Sequence, residues 1–214
     1  MTKSEFRSEC THRLKNANRS TKRIRDAKVR RMLQIVLKEL GPKRVLAFWP
    51  MEFEADIRKS LTTMRRWDKV YLPFMDGVSF KMVPLRLPLE RKAFGIYEPR
   101  DSFRKINLID VAIVPAIGVD ASLGRIGFGK GMYDRFFPTL KTKPFTIFIQ
   151  SCECRTNRFL CDDYDVRSDL LITPKGVYSM RKTHVKRTTR GGRHSHLQRC
   201  SRLFNFEKDF RRSF

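Results

Sequence analysis

Apolar and polar positions follow two rhythms along this chain, and their alternation predicts its elements. Residues 3–16 and 20–40 carry a helical period. In the second stretch the period is broken: Ile24, Ala27, Met32, Ile35, Val36 and Leu40 recur at mixed spacings consistent with one apolar face. Gly41-Pro42 stops that helix. Val45-Leu46-Ala47-Phe48-Trp49 is a compact apolar run of strand type closed by Pro50, and a helical pattern returns from Ala55 to Trp67 through Ile57, Leu61 and Met64. Val70–Phe74 reads as a second strand, and Asp76-Gly77 turns it into a hairpin partner at 79–83. A strand at 110–115, a helix over about 130–140 and strands at 145–150 and 170–173 complete the series.

Strands and helices of these lengths, in alternation, predict an α/β fold: a three-layer sandwich with a mostly parallel central sheet covered by helices on both faces. In such sheets ligands sit at the carboxyl ends of the strands. Beyond Lys175 the periodicity fades. The chain therefore divides into a domain over 1–175 and a basic extension over 176–214, whose stretch 181–202 is expected to be mobile.

Composition adds compartment and charge. Hydrophobic residues make up 41% of the 214, enough for a core, and no apolar run reaches the length of a membrane span. Met1–Arg7 lacks the apolar stretch of a signal peptide. Five cysteines at irregular spacing argue against a disulfide framework and for a reducing cytoplasm. The formal charge of +24 sits mostly at the ends: residues 1–31 carry a balance of +8 and residues 176–214 one of +9. A chain so charged attracts polyanions. Metal binding by Cys/His is set aside, because Cys152 and Cys154 are one residue too close for a C-x-x-C pair. His12, His184, His194 and His196 all lie outside the predicted core, so no histidine-based triad is supported either.

The most chemical stretch is Gly124-Arg125-Ile126-Gly127-Phe128-Gly129-Lys130-Gly131-Met132-Tyr133-Asp134-Arg135, between a buried strand and a helix start. Glycines let successive backbone N–H groups converge on one phosphate, and the following helix adds the positive end of its dipole. Arg125 and Lys130 supply full charges. The common P-loop is excluded: Gly124 and Gly129-Lys130 have its spacing, but Gly131 stands where a hydroxyl is needed. The dinucleotide fingerprint is excluded too, its third glycine coming one place early. A tight glycine turn with solvated charges is the plain alternative.

Val114-Pro115-Ala116-Ile117-Gly118-Val119-Asp120 followed by this loop resembles the signature of the 5-formyltetrahydrofolate cyclo-ligases, or 5,10-methenyltetrahydrofolate synthetases. Three further stretches fall in the family's order: Lys3–Arg7 with Arg13 beyond, Pro50–Asp56, and Phe94-Gly95-Ile96-Tyr97-Glu98-Pro99. Asp165–Asp169 running into Ile172-Thr173 resembles its closing strand. The likeness covers residues 1 to about 175. It implies ATP-dependent closure of 5-formyltetrahydrofolate, with or without a polyglutamate tail, in a cytoplasmic monomer with ATP and Mg²⁺. It implies catalytic roles for Arg125 and Lys130. Nucleotide contacts are implied for Lys3, Arg7, Gly127, Phe128, Gly129, Lys130, Gly131, Tyr133 and Asp134. Folate contacts fall to Met51, Glu54, Phe94 and Tyr133, and Mg²⁺ to Asp134 and Asp165.

Taken without the resemblance, Lys3 and Arg7 read as a solvated helix face, Asp134 as a first-turn charge, Asp165 as a turn cap, Glu54 as an exposed helix start, and Met51 and Phe94 as core. The chain departs from the family pattern at Met132 (usually tyrosine), Ile57 (usually threonine) and Tyr164 (often histidine). A rival from another class is a nucleic-acid-binding protein using the two basic ends, with Arg190-Gly191-Gly192-Arg193 and Phe204, Phe206 and Phe210 nearby.

Overall fold

The computed structural model describes residues 1–65, 69–92, 96–102 and 106–179. Two helices come first, α1 (Lys3–Lys15) and α2 (Lys22–Leu40), then strand β1 (Arg44–Leu46) and helix α3 (Arg58–Met64). The hairpin β2 (Lys69–Asp76) and β3 (Ser79–Pro84) precedes two short strands, β4 (Glu90–Arg91) and β5 (Tyr97–Glu98). β6 (Val111–Pro115) leads into a small hairpin, β7 (Gly118–Val119) and β8 (Arg125–Ile126). Helix α4 (Met132–Phe136) and a 3-10 turn (Phe137–Thr139) follow, then β9 (Phe145–Ile149), β10 (Leu170–Thr173) and β11 (Gly176–Tyr178).

Seven strands form the central sheet in the order β11-β10-β9-β6-β1-β2-β3. The five inner strands run parallel, and β3 and β11 close the two edges antiparallel. The expected α/β sandwich is thus the fold observed. Strand periodicity divides the sheet's side chains between its faces. Val45, Ala47, Val111, Ile113, Ile147 and Ile149 pack with Val29, Leu33 and Val36 of α2 and with Leu61 of α3. Their neighbours Leu46, Ala112, Val114 and Phe148 turn to the other face, against Tyr133 and Phe136 of α4. Each fully buried Leu, Ile or Phe contributes about 1.5–3 kcal/mol here, so these two layers carry the fold.

Some expectations need correction. The helix expected over 130–140 runs only five residues, because Pro138 cannot continue its hydrogen-bond ladder and the chain tightens into the 3-10 turn. The sheet also passes the boundary drawn at Lys175. β11 pairs Val177 with Ile172 and Tyr178 with Leu171, and both its apolar side chains are buried. Three residues are too few to register as a period. The cysteine reading is corrected as well: Cys10 and Cys154, 144 residues apart, form a disulfide. The segments holding Trp67, Phe94 and the stretch 181–202 lie outside the described residues. Among the described residues no helix is long and apolar enough to cross a membrane.

Helix α1 sits apart from the two layers, at the carboxyl end of the sheet. A capping box opens it: the Glu5 N–H donates to Thr2 Oγ1 at 3.2 Å, and the Thr2 N–H donates to Glu5 Oε2 at 2.7 Å. Only Phe6 and Cys10 are buried along it, in a small cluster with Ile117, Ile126 and Cys154.

Candidate active site

The site grows from the carboxyl end of β6. The chain does not pass directly from strand to glycine loop, as the sequence suggested. It first makes the β7–β8 hairpin, whose turn is organised by Asp120. Asp120 Oδ1 accepts from the Ser122 N–H at 2.9 Å, the Ser122 hydroxyl at 2.7 Å and the Gly124 N–H at 2.8 Å. Its Oδ2 accepts from the N–H groups of Leu160 at 3.0 Å and Cys161 at 2.9 Å. Burial pushes this carboxyl's pKa up, but the bonds from Ser122, Cys161, Gly124 and Leu160 outweigh it and hold the net value below the usual range. Asp120 stands in the motif quoted above with no role attached; a buried acidic residue three to five places before a glycine loop was the available signal.

Arg125 follows, half-buried. Its Nε donates to the Pro115 carbonyl at 2.9 Å, and its guanidinium lies 4.8 Å from the centre of the Tyr133 ring. Burial pulls its pKa down against the fields of Tyr133, Asp134, Glu54 and Asp165. Burial likewise raises the Tyr133 phenol. A Cβ at Gly127 would fall 2.5 Å from an Arg125 guanidinium nitrogen, so any larger residue there makes that side chain shift. Gly131 opens α4 in the left-handed region, at φ 60°. Phe128 at the loop tip meets the Phe53 ring edge-on, 5.3 Å between centroids. Lys130 is exposed and makes no side-chain hydrogen bond among the described residues.

Helix α1 closes over this loop. Arg7 Nε donates to the Gly127 carbonyl at 2.9 Å, leaving its terminal nitrogens without hydrogen bonds among the described residues. Lys3 reaches Asp165, with Asp162 Oδ2 at 3.4 Å. Burial lowers the Lys3 pKa, but the bond to Asp165 prevails and the net value is raised. Lys3 and Asp165, expected to hold phosphate and metal separately, are therefore paired with each other. Asp134 does not act on its own helix: its Oδ1 accepts from the Val166 N–H at 3.0 Å, which ties α4 to the segment of Asp165. One oxygen of each aspartate makes no hydrogen bond among the described residues.

Beside the loop lies a cleft of about 190 Å³. It brings together Met51, Glu54, Arg125, Phe128, Lys130, Gly131 and Tyr133 of the expected residues, with Met132 in the place of the family's tyrosine. Phe48, Trp49 and Phe80, read from the sequence only as strand residues, supply an apolar wall. Glu54 is buried rather than an exposed helix start. Its Oε2 accepts from the Met51 N–H at 2.9 Å, and Lys22 Nζ donates to the Glu54 carbonyl at 2.8 Å. Burial pushes the Glu54 pKa up to about 7, against that N–H and the charges of Arg125 and Lys22. Glu98, quoted in the sequence motif but given no role, is a second buried carboxylate on the same cleft.

Comparison with known proteins points to one family. A family model described as the 5-formyltetrahydrofolate cyclo-ligase family matches residues 1–174. A 5-formyltetrahydrofolate cyclo-ligase of Mycoplasma pneumoniae is 38% identical over 66 residues, 31% of this chain and 40% of that protein. One of Haemophilus influenzae is 24% identical over 119 residues, 51% of this chain and 64% of that protein. The chain thus spans less than two thirds of either curated relative. The solved 5,10-methenyltetrahydrofolate synthetase of Aquifex aeolicus superposes with TM-score 0.71 at 26% identity, covering 92% of this chain and 98% of that one. The Mycoplasma pneumoniae synthetase structure has TM-score 0.62 at 21% identity over 81% of this chain and 99% of its own, a likeness of fold.

Proposed function

The chain belongs to the 5-formyltetrahydrofolate cyclo-ligase family, and we propose that it closes 5-formyltetrahydrofolate to 5,10-methenyltetrahydrofolate at the expense of ATP, as a monomer. The formyl oxygen is a poor leaving group as hydroxide. Phosphorylated by ATP, with ADP as the leaving group, it departs as inorganic phosphate when N10 of the folate attacks the formyl carbon and gives up its proton. The imidate phosphate is the intermediate of this reading. The protein's task is to align two anionic substrates and stabilise charge on the phosphoryl group in flight.

The observation that carries the proposal is a single cleft flanked on one side by the glycine loop with Arg125 and Lys130, and on the other by a buried glutamate and aromatic walls. In this reading the backbone of Gly127–Gly131, Lys130 and the terminal nitrogens of Arg7 hold the triphosphate. Lys3, on the same face of α1, joins them once it exchanges Asp165 for a phosphate oxygen. Glu54 accepts from a pterin N–H, with Met51 and Tyr133 packing on the ring system. Phe94 keeps the aromatic role that its motif implies.

For Mg²⁺ the residues fit. Among the described residues no group of three or more acidic, histidine or cysteine side chains forms a site. Asp134 and Asp165 are nevertheless joined through Val166, each with one unused oxygen, and Mg²⁺ takes one or two carboxylates with phosphate oxygens and water. Bound there, it would neutralise charge on the transferred phosphoryl group.

The test is direct. Purified protein, 5-formyltetrahydrofolate and Mg²⁺ should develop the methenyl chromophore only when ATP is added. Absence of that chromophore under saturating substrates refutes the proposal.

A further inference from the structure

Glu98 has no part in the reading above, although its surroundings call for a ligand. It ends β5 with only 3% of its surface exposed, and it lines the cleft that holds Glu54. Oε1 accepts from the Met75 N–H at 3.2 Å, while Oε2 has no hydrogen bond among the described residues. No ion pair neutralises it among the described residues. The cation acting on it is Lys92, whose ammonium is committed to Glu90 at 2.6 Å. Burial pushes the Glu98 pKa up, against the Met75 N–H and the charge of Lys92, and the unused oxygen is left as an acceptor on the wall of the cleft. An acceptor-only carboxylate without an ion-pair partner suits N–H donors and repels phosphate.

Charge separates the two glutamates. Arg125 of the phosphate loop acts on Glu54, whereas Glu98 feels Lys92, from the β4 side. A substrate whose formyl group meets the phosphate loop turns the opposite edge of its bicyclic ring away from that loop. In a reduced pterin that edge carries the ring N3–H and the 2-amino group side by side, two parallel donors matched to a carboxylate. We propose that Glu98 is a specificity-determining residue that accepts hydrogen bonds from this amino-lactam edge of the substrate, leaving Glu54 to the edge nearer the reacting formyl. This inference rests on the cyclo-ligase reading.

The experiment compares wild type and Glu98→Gln with two substrates, 5-formyltetrahydrofolate and its analogue lacking the 2-amino group. Gln keeps an oxygen for the Met75 N–H but no longer offers a second acceptor. Expected are an unchanged melting temperature, an unchanged KM for ATP and a KM for the folate raised about ten-fold or more. Removing the 2-amino group should cost the wild type a comparable factor in kcat/KM and cost Glu98→Gln less than about three-fold, since the lost contact is the same one. A folate KM within two-fold of wild type, or full additivity of the two losses, overturns the inference while the enzyme reading stands. If Glu98→Gln does not fold, wild-type discrimination between the two substrates decides, and a factor below two overturns it. An inactive wild type refutes the enzyme reading instead. Fluorescence titration of pterin against both proteins then decides for Glu98, with equal affinities overturning it.

Discussion

At Glu54 a carboxylate is held out of water beside an apolar wall, and it therefore titrates near neutrality. The unfolded chain ionises this group near 4.5, the folded protein only near 7. Its contribution to stability is complete below pH 4.5, falls as pH rises towards 7, and is level beyond. The interval corresponds to about 3 kcal/mol. Glu54→Gln, which keeps an acceptor for the Met51 N–H, should gain stability over wild type by about that amount between pH 4 and pH 8 in urea melts; a flat difference would contradict the burial argument. The ionised form is the better acceptor, so wild-type kcat/KM for the folate should rise through a limb near pH 7 that Glu54→Gln lacks. Gly127 makes the companion case. A methyl group there meets the Arg125 guanidinium at 2.5 Å, so Gly127→Ala should cut kcat/KM by about ten-fold or more. Loss of less than two-fold would show that Arg125 can move without consequence.

Among the elements, α1 is the one whose placement its own pattern explains least. With only two buried residues, it is docked by point contacts: the Cys10–Cys154 disulfide, Lys3 on Asp165 and Arg7 on the Gly127 carbonyl. Two of these three bear residues assigned to the nucleotide. Reducing the disulfide, or Cys10→Ser, should lower stability by about 2–4 kcal/mol in denaturant titrations. The KM for ATP should rise several-fold while that for the folate changes little. Equal changes in both would mean that α1 serves the whole site rather than the nucleotide side. The glycine loop shows the converse: its residues were evident from the sequence, but the β7–β8 hairpin and its Asp120 hub hold it in place.

For the whole molecule the question is where the catalytic unit ends. β11 buries Val177 and Tyr178 beyond Lys175, and the Tyr178 hydroxyl donates to Glu153 Oε2 at 2.7 Å. A chain ending at Lys175 loses that edge strand and should be destabilised by roughly 3–6 kcal/mol. A chain ending at Ser179 should melt and turn over like the full protein, yet lose most of its affinity for single-stranded RNA at low salt, since residues 180–214 hold eleven basic against two acidic residues. Turnover lost with the second truncation would place part of the enzyme in the extension. RNA affinity retained by it would assign polyanion attraction to the basic N-terminal helices.

Local order along the chain determined the alternation of strands and helices, the parallel sheet they build and the glycine loop at its carboxyl end. These properties are repeated every few residues, because each element must present one apolar face to the same core. Tertiary structure alone decided that Cys10 meets Cys154, that Lys3 meets Asp165, that Glu54 and Glu98 share one cleft, and that three residues past Lys175 complete the sheet. Those outcomes join positions far apart in the chain, or depend on burial from several elements at once, and no local period records which distant side chain will arrive.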